Sequence, residues 1–96
     1  SMNFIDPSEK QAMVVEYWPW VKQIAGVMRR SLKLDASASL DDLVSDGVVG
    51  LMDAIDKFDP DCGAKFKTYA GRRVRGAILD GVRERDRWPA DGLGGR

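Results

Sequence analysis

Residues 40–58 read LDDLVSDGVVGLMDAIDKF, and the apolar positions Leu40, Leu43, Val44, Val48, Leu51, Ile55 and Phe58 recur mostly three and four apart. That spacing stacks them on one face of an α-helix. Ser39 stands where an N-cap belongs, with Asp42 three positions later, so the start is marked as well. Asp59-Pro60 marks the end, because proline has no amide hydrogen and pushes the residue before it out of the helical region. Gly63 then closes the turn. Gly47 and Gly50 lie beside the stripe, where the lack of a side chain lets a second helix come close.

Downstream, KFKTYAGRRVRGAILD (residues 65–80) opens another helix, predicted over residues 66–85 with Ala70, Val74, Ala77, Ile78 and Val82 inward. Upstream, Asp6-Pro7-Ser8 is a helix-start signal, and Met13, Val14, Tyr17 and Trp18 recur at helical spacing. Pro19 is expected to end or kink that first helix. The period resumes after it, with Val21, Ile24, Ala25, Met28 and Leu32 on one face and Arg29, Arg30 and Lys33 at the end that suits the helix dipole. DASAS (residues 35–39) reads as a linker. No segment alternates as a half-buried strand does. The expectation is an all-α domain over residues 1–87, a compact bundle of about four helical pieces, followed by a flexible Pro/Gly-rich tail or cut linker at residues 88–96.

A chain of 96 residues makes one domain, and 44% hydrophobic content supplies a modest core. Charge sums to zero but is split along the chain. Residues 1–63 hold six Lys/Arg against eleven Asp/Glu, a balance of −5, whereas residues 64–87 hold eight against three, +5. Such a split points to two surfaces with different partners. Cys62 is the only cysteine and histidine is absent, which excludes an internal disulfide and leaves no ligand set for structural zinc. The lack of histidine also removes the commonest general base. No catalytic residue, cofactor or metal site is expected. With no apolar run of membrane-spanning length and no signal peptide, a cytoplasmic setting and no membrane partner are expected. Ser1 ahead of Met2 reads as a cloning remnant, and the chain as one domain excised from a longer protein.

Two outward faces carry the readable chemistry. Opposite the stripe of residues 40–58 lie Asp42, Asp46, Val49, Asp53 and Asp56, with Met52 at the border. An apolar residue inside an acidic face suits a protein-binding surface: charge steers the approach and the apolar spot is desolvated. The same residues also fit a solvated face with one stray valine, and spacing does not choose between the two. On the next helix, at about 100° per residue, the outward set is Tyr69, Arg72, Arg73, Gly76, Asp80 and Arg83. Arg75 and Leu79 stand at one border, with Lys65, Phe66, Lys67 and Thr68 around the first turn. Guanidinium groups for phosphates and rings for base faces are the means of nucleic-acid binding. Gly76 adds no bulk between them. Phe66 is the member that also suits a core.

The segment LDDLVSDGVVGLMDAIDKFDPDCGAKFKTYAGRRVRGAILDGVRERD closely resembles region 2 of bacterial RNA polymerase sigma factors, densely over residues 35–86. Its detail, KFDP..G.KF.TYA..R.RGAILD..R..D, is most similar to the flagellar and sporulation-type alternative sigma factors. VVEYWPWVKQIAGVM, upstream, also fits the family pattern. The resemblance implies that the helix of residues 40–58 docks on the clamp helices of the largest subunit of core RNA polymerase, through Asp42, Ser45, Asp46, Val49, Met52, Asp53 and Asp56. It implies that residues 65–83 recognise and melt the promoter minus-ten element, with the aromatics at Phe66 and Tyr69 holding the non-template strand open. It leaves an anti-sigma factor open as a further partner.

Two departures stand out. Housekeeping members carry two tryptophans where this chain has Arg72 and Arg73, which implies an alternative factor with weaker intrinsic melting. Flagellar-type members continue with DW.PR, whereas Trp88 and Pro89 are shifted here and the basic continuation is missing. Extruding a base costs a few kcal/mol and stacking on an aromatic returns roughly 1–3 kcal/mol, so melting is expected to need the polymerase. Two other readings remain: a helix-turn-helix regulator that binds intact duplex, and a sigma-like module that binds only proteins.

Overall fold

The computed structural model describes residues 5–34 and 38–87. Its helices are α1 (Pro7–Ser31), α2 (Leu40–Lys57) and α3 (Phe66–Arg87), with one 3₁₀ turn (Pro60–Cys62) between the last two. Every described element is helical, as the all-α expectation requires. The count differs from the expectation, being three α-helices and one short turn instead of about four pieces. The difference lies at Pro19, which sits inside a continuous α1. A proline there costs about 3 kcal/mol. Residues on both sides of it are anchored: Tyr17 and Trp20 pack on the core cluster and Val21 is fully buried. That anchoring offsets the missing hydrogen bond.

The ends of α1 follow local chemistry. Asp6 caps it by accepting from the Ser8 amide at 3.1 Å, and Glu9 reaches back to the Asp6 amide at 3.2 Å. The Asp6 carboxyl is held below the ordinary aspartate value, chiefly by hydrogen bonds from the Ser8 hydroxyl and amide. At the other end Lys33 takes a left-handed conformation, φ 52°. Its amide donates to Arg30 O at 3.1 Å and that of Leu34 to Arg29 O at 3.3 Å. This is the arrangement glycine usually serves. Leu34 packs on the core and helps offset the steric cost.

The stripe of α2 is the centre of the domain. Leu43 and Leu51 are fully buried and Val44 and Ile55 nearly so, in one cluster with Val21 and Ala25 of α1 and Val74 and Ile78 of α3. Leu40 and Phe58, at the ends of the stripe, are less covered. Ser39 caps α2 as expected, accepting from the Asp42 amide at 3.0 Å. Gly47 and Gly50 do permit close approach. A Cβ at Gly47 would lie 2.8 Å from Val21 Cγ1, and one at Gly50 would lie 2.6 Å from the Arg73 carbonyl oxygen. Gly63 closes the turn at φ 88°. On α1, Trp18 and Leu32 face outward, 42% and 43% exposed, so the sequence stripes there were drawn too wide. The predicted tail at residues 88–96, including Trp88 and Pro89, lies outside the described residues, as does most of the linker. Among the described residues, no helix is long and apolar enough to cross a membrane.

Candidate nucleic-acid interface

The first turn of α3 combines an aromatic cluster with basic groups. Phe66 turns inward, its ring 5.2 Å from that of Tyr17 and 5.4 Å from that of Phe58. Tyr69 is half-buried, its ring 5.7 Å from Phe58, and Tyr17 continues the cluster to Trp20 at 5.8 Å. Tyr69 therefore has a supported inner side. Lys65 and Thr68 are exposed, while the Lys67 ammonium lies 5.2 Å from the centre of the Trp20 ring. Tyr17, Trp20 and Phe58 were missed as supports. Their only sequence signal is aromatic content at positions that also suit a plain core.

Further along α3, Arg72 and Arg75 are exposed, and neither makes an ion pair among the described residues. Arg73 pairs with Asp53 of α2. Arg83 is exposed and lies 3.5 Å from Asp80. Gly76 is half-buried with open space where a Cβ would stand. It lines a groove between α2 and α3 together with Val49, Gly50, Asp53, Arg72, Arg73, Ala77 and Asp80. The outward faces of the two helices thus meet along one edge.

The outer face of α2 is only partly what its charges imply. Val49 and Met52 are exposed, 65% and 40%, and Ser45 is exposed beside them. The aspartates, however, are all engaged within the molecule. Arg85 Nη2 donates to Asp46 Oδ2 at 2.6 Å, with Arg85 Nε 3.8 Å from Asp42 Oδ2. Lys57 meets Asp53 at 2.9 Å and Lys10 meets Asp56 at 2.7 Å. Pairs this exposed are worth about 0–1 kcal/mol each, so packing, not charge, joins the helices. Arg85 was missed by the sequence reading. Its signal is Gly81 one turn earlier, where any Cβ would collide with the Asp46 carboxylate that Arg85 grips.

The domain thus carries an aromatic-backed basic strip on α3 and an exposed apolar spot on the outer face of α2. The Sigma-70 region 2 family model matches residues 13–87, and the chain belongs to that family. It is 45% identical over 84 residues to the RNA polymerase sigma-D factor of Bacillus subtilis, covering 88% of this chain and 32% of that protein. It is 42% identical over 78 residues to the RNA polymerase sigma factor FliA of Salmonella typhimurium, covering 81% of this chain and 32% of the relative. FliA of Pseudomonas aeruginosa is also 42% identical, over 79 residues, with 82% and 31% covered. The chain thus spans about a third of the length of these curated relatives.

Proposed function

We propose that residues 1–87 form the domain of a sigma factor that binds core RNA polymerase and recognises and melts the promoter minus-ten element. In this reading the outer face of α2 docks on the clamp helices of the largest subunit. Val49 and Met52 supply the desolvated contact, and Asp42, Ser45, Asp46, Asp53 and Asp56 surround it. Lys65, Phe66, Lys67, Thr68, Tyr69, Arg72, Arg73, Arg75, Gly76 and Arg83 form the DNA strip. Phe66 acts from within, as the ring that backs the first turn. An anti-sigma factor that covers either face fits the same reading as a regulator in the cytoplasm.

The observation that carries the reading is on α3: half-buried Tyr69, backed by Phe58, shares its strip with Arg72 and Arg75, two exposed guanidinium groups without an ion pair among the described residues. A ring held from behind can take an unstacked base, and free guanidinium groups can take its phosphates. Strand opening needs no covalent step, so these groups suffice in kind.

The test places the domain in a sigma factor of this family and measures promoter-dependent transcription with core polymerase. Tyr69→Ala and Arg72→Ala are expected to lower open-complex formation at least about tenfold, with core association retained. Transcription unchanged by both, yet abolished by Val49→Asp, would leave only a protein-binding module.

A further inference from the structure

Arg72 and Arg73 are neighbours in sequence but not in circumstance. Arg72 is exposed and makes no ion pair among the described residues, whereas Arg73 donates from Nη2 to Asp53 Oδ2 across the α2–α3 groove. The Asp53 carboxylate is itself fixed, because its other oxygen meets Lys57 Nζ at 2.9 Å. Gly50 brings the helices together at this level, with the Arg73 carbonyl where a side chain would otherwise stand. Gly76, next along the groove, leaves open space beside the guanidinium. Among the described residues Arg73 Nε and Nη1 have no hydrogen-bond partner, and the side chain is 42% exposed.

We propose that Asp53 is a positioning residue for Arg73, and that the pair turns Arg73 into a guanidinium that reads a base edge, while Arg72 supplies mobile charge for phosphates. The proposal rests on the assignment of α3 to DNA, and it moves Asp53 from the polymerase surface to the DNA surface. A guanidinium held by one nitrogen keeps a donor pair of fixed direction, and less rotamer freedom is lost on binding than from a free side chain. Two adjacent acceptors in a plane are what such a fork recognises, and among base edges guanine O6 and N7 present them. Lysine at residue 73 could not substitute, since an ammonium has no fork.

The experiment uses this chain in complex with saturating core polymerase, and equilibrium binding to forked minus-ten DNAs varied one position at a time. The native chain is expected to prefer guanine at one position by about tenfold. Asp53→Asn and Arg73→Lys are expected to bring that preference below about twofold. Affinity for scrambled DNA should not fall with Asp53→Asn, which removes no positive charge and releases the Arg73 guanidinium, so a lost preference reads as lost specificity and not as lost binding. The reversed pair, Asp53→Arg with Arg73→Asp, should keep the thermal midpoint but not the preference, which a merely structural staple would not do. The proposal is overturned if Asp53→Asn keeps the preference, if the reversed pair restores it, or if the native chain has none. If Tyr69→Ala and Arg72→Ala also leave DNA affinity unchanged, the assignment of α3 itself has failed. If they lower it while Asp53→Asn has no effect, only the role of Asp53 has failed.

Discussion

The outer faces of α2 and α3 carry opposite charge, but they differ more in how that charge is used. On α2, Asp42, Asp46, Asp53 and Asp56 each face a cation of the same molecule. On α3 and just before it, Lys65, Arg72 and Arg75 are exposed and make no ion pair among the described residues. A charge already satisfied internally offers less to a partner than a free one, because the old contact is lost as the new one forms. In the proposed reading the basic strip therefore binds through charge, while the acidic face binds through its apolar spot, Val49 and Met52, with Asp42, Asp46 and Asp56 as a rim. Formal charge in the sequence does not make that distinction.

The largest expected effect separates the packing under the two faces from the surface above it. Gly50→Val drives α2 off the Arg73 backbone, at a cost of about 3 kcal/mol, and should lower the thermal midpoint by more than about 10 °C. Gly76→Ala meets open space and should raise stability, by up to about 1 kcal/mol, through helix propensity. Circular dichroism melts of both read the contrast directly. A Gly50 variant as stable as the native chain would mean the close α2–α3 contact is not needed.

Next comes the acidic face. Val49→Asp should weaken association with core polymerase more than about tenfold, as for a desolvated anchor, and leave the melting curve unchanged. Asp56→Asn, whose carboxylate already serves Lys10, should shift that affinity less than about threefold. Titration of labelled domain with core polymerase gives both values. The opposite ranking would make α2 a charge-driven surface after all.

On the basic strip, Arg72→Gln and Arg75→Gln should each reduce the slope of log affinity against log salt by about 0.7 for single-stranded DNA. Arg85→Gln should leave it unchanged, because Arg85 is committed to Asp46. Equal slopes for all three would show that free and paired arginines are used alike. The smallest effect lies at the start of α1. The Asp6 carboxyl is lowered in the folded chain, so its contribution to stability is full above the ordinary carboxylate range and is lost as the pH falls through its lowered folded value. Asp6→Asn should lose that small contribution at neutral pH and flatten the acid limb of the stability curve, so that the two curves converge at low pH.

Much of this was legible from spacing. The α2 stripe, the caps Asp6 and Ser39, the stop at Pro60 and the spacer glycines of α2 are local signals, and each stands where it was expected. Pro19 does not end α1, because its penalty is local while the burial around it, at Tyr17, Trp20 and Val21, comes from contacts far along the chain. Arg73–Asp53, Arg85–Asp46 and Lys10–Asp56 were not legible for the same reason, since each joins two helices and depends on how those helices are set. Phe66 shows the limit within one turn. Helical spacing left it between core and surface, and the rings of Tyr17 and Phe58 place it inward.

The most direct test of the central claim is the affinity of this chain for the non-template strand of a flagellar-type minus-ten element and for the intact duplex, each with and without core polymerase. The account predicts weak binding of both by the chain alone, and a preference for the single strand once core polymerase is present. Tight, sequence-specific binding of intact duplex by the chain alone would contradict it.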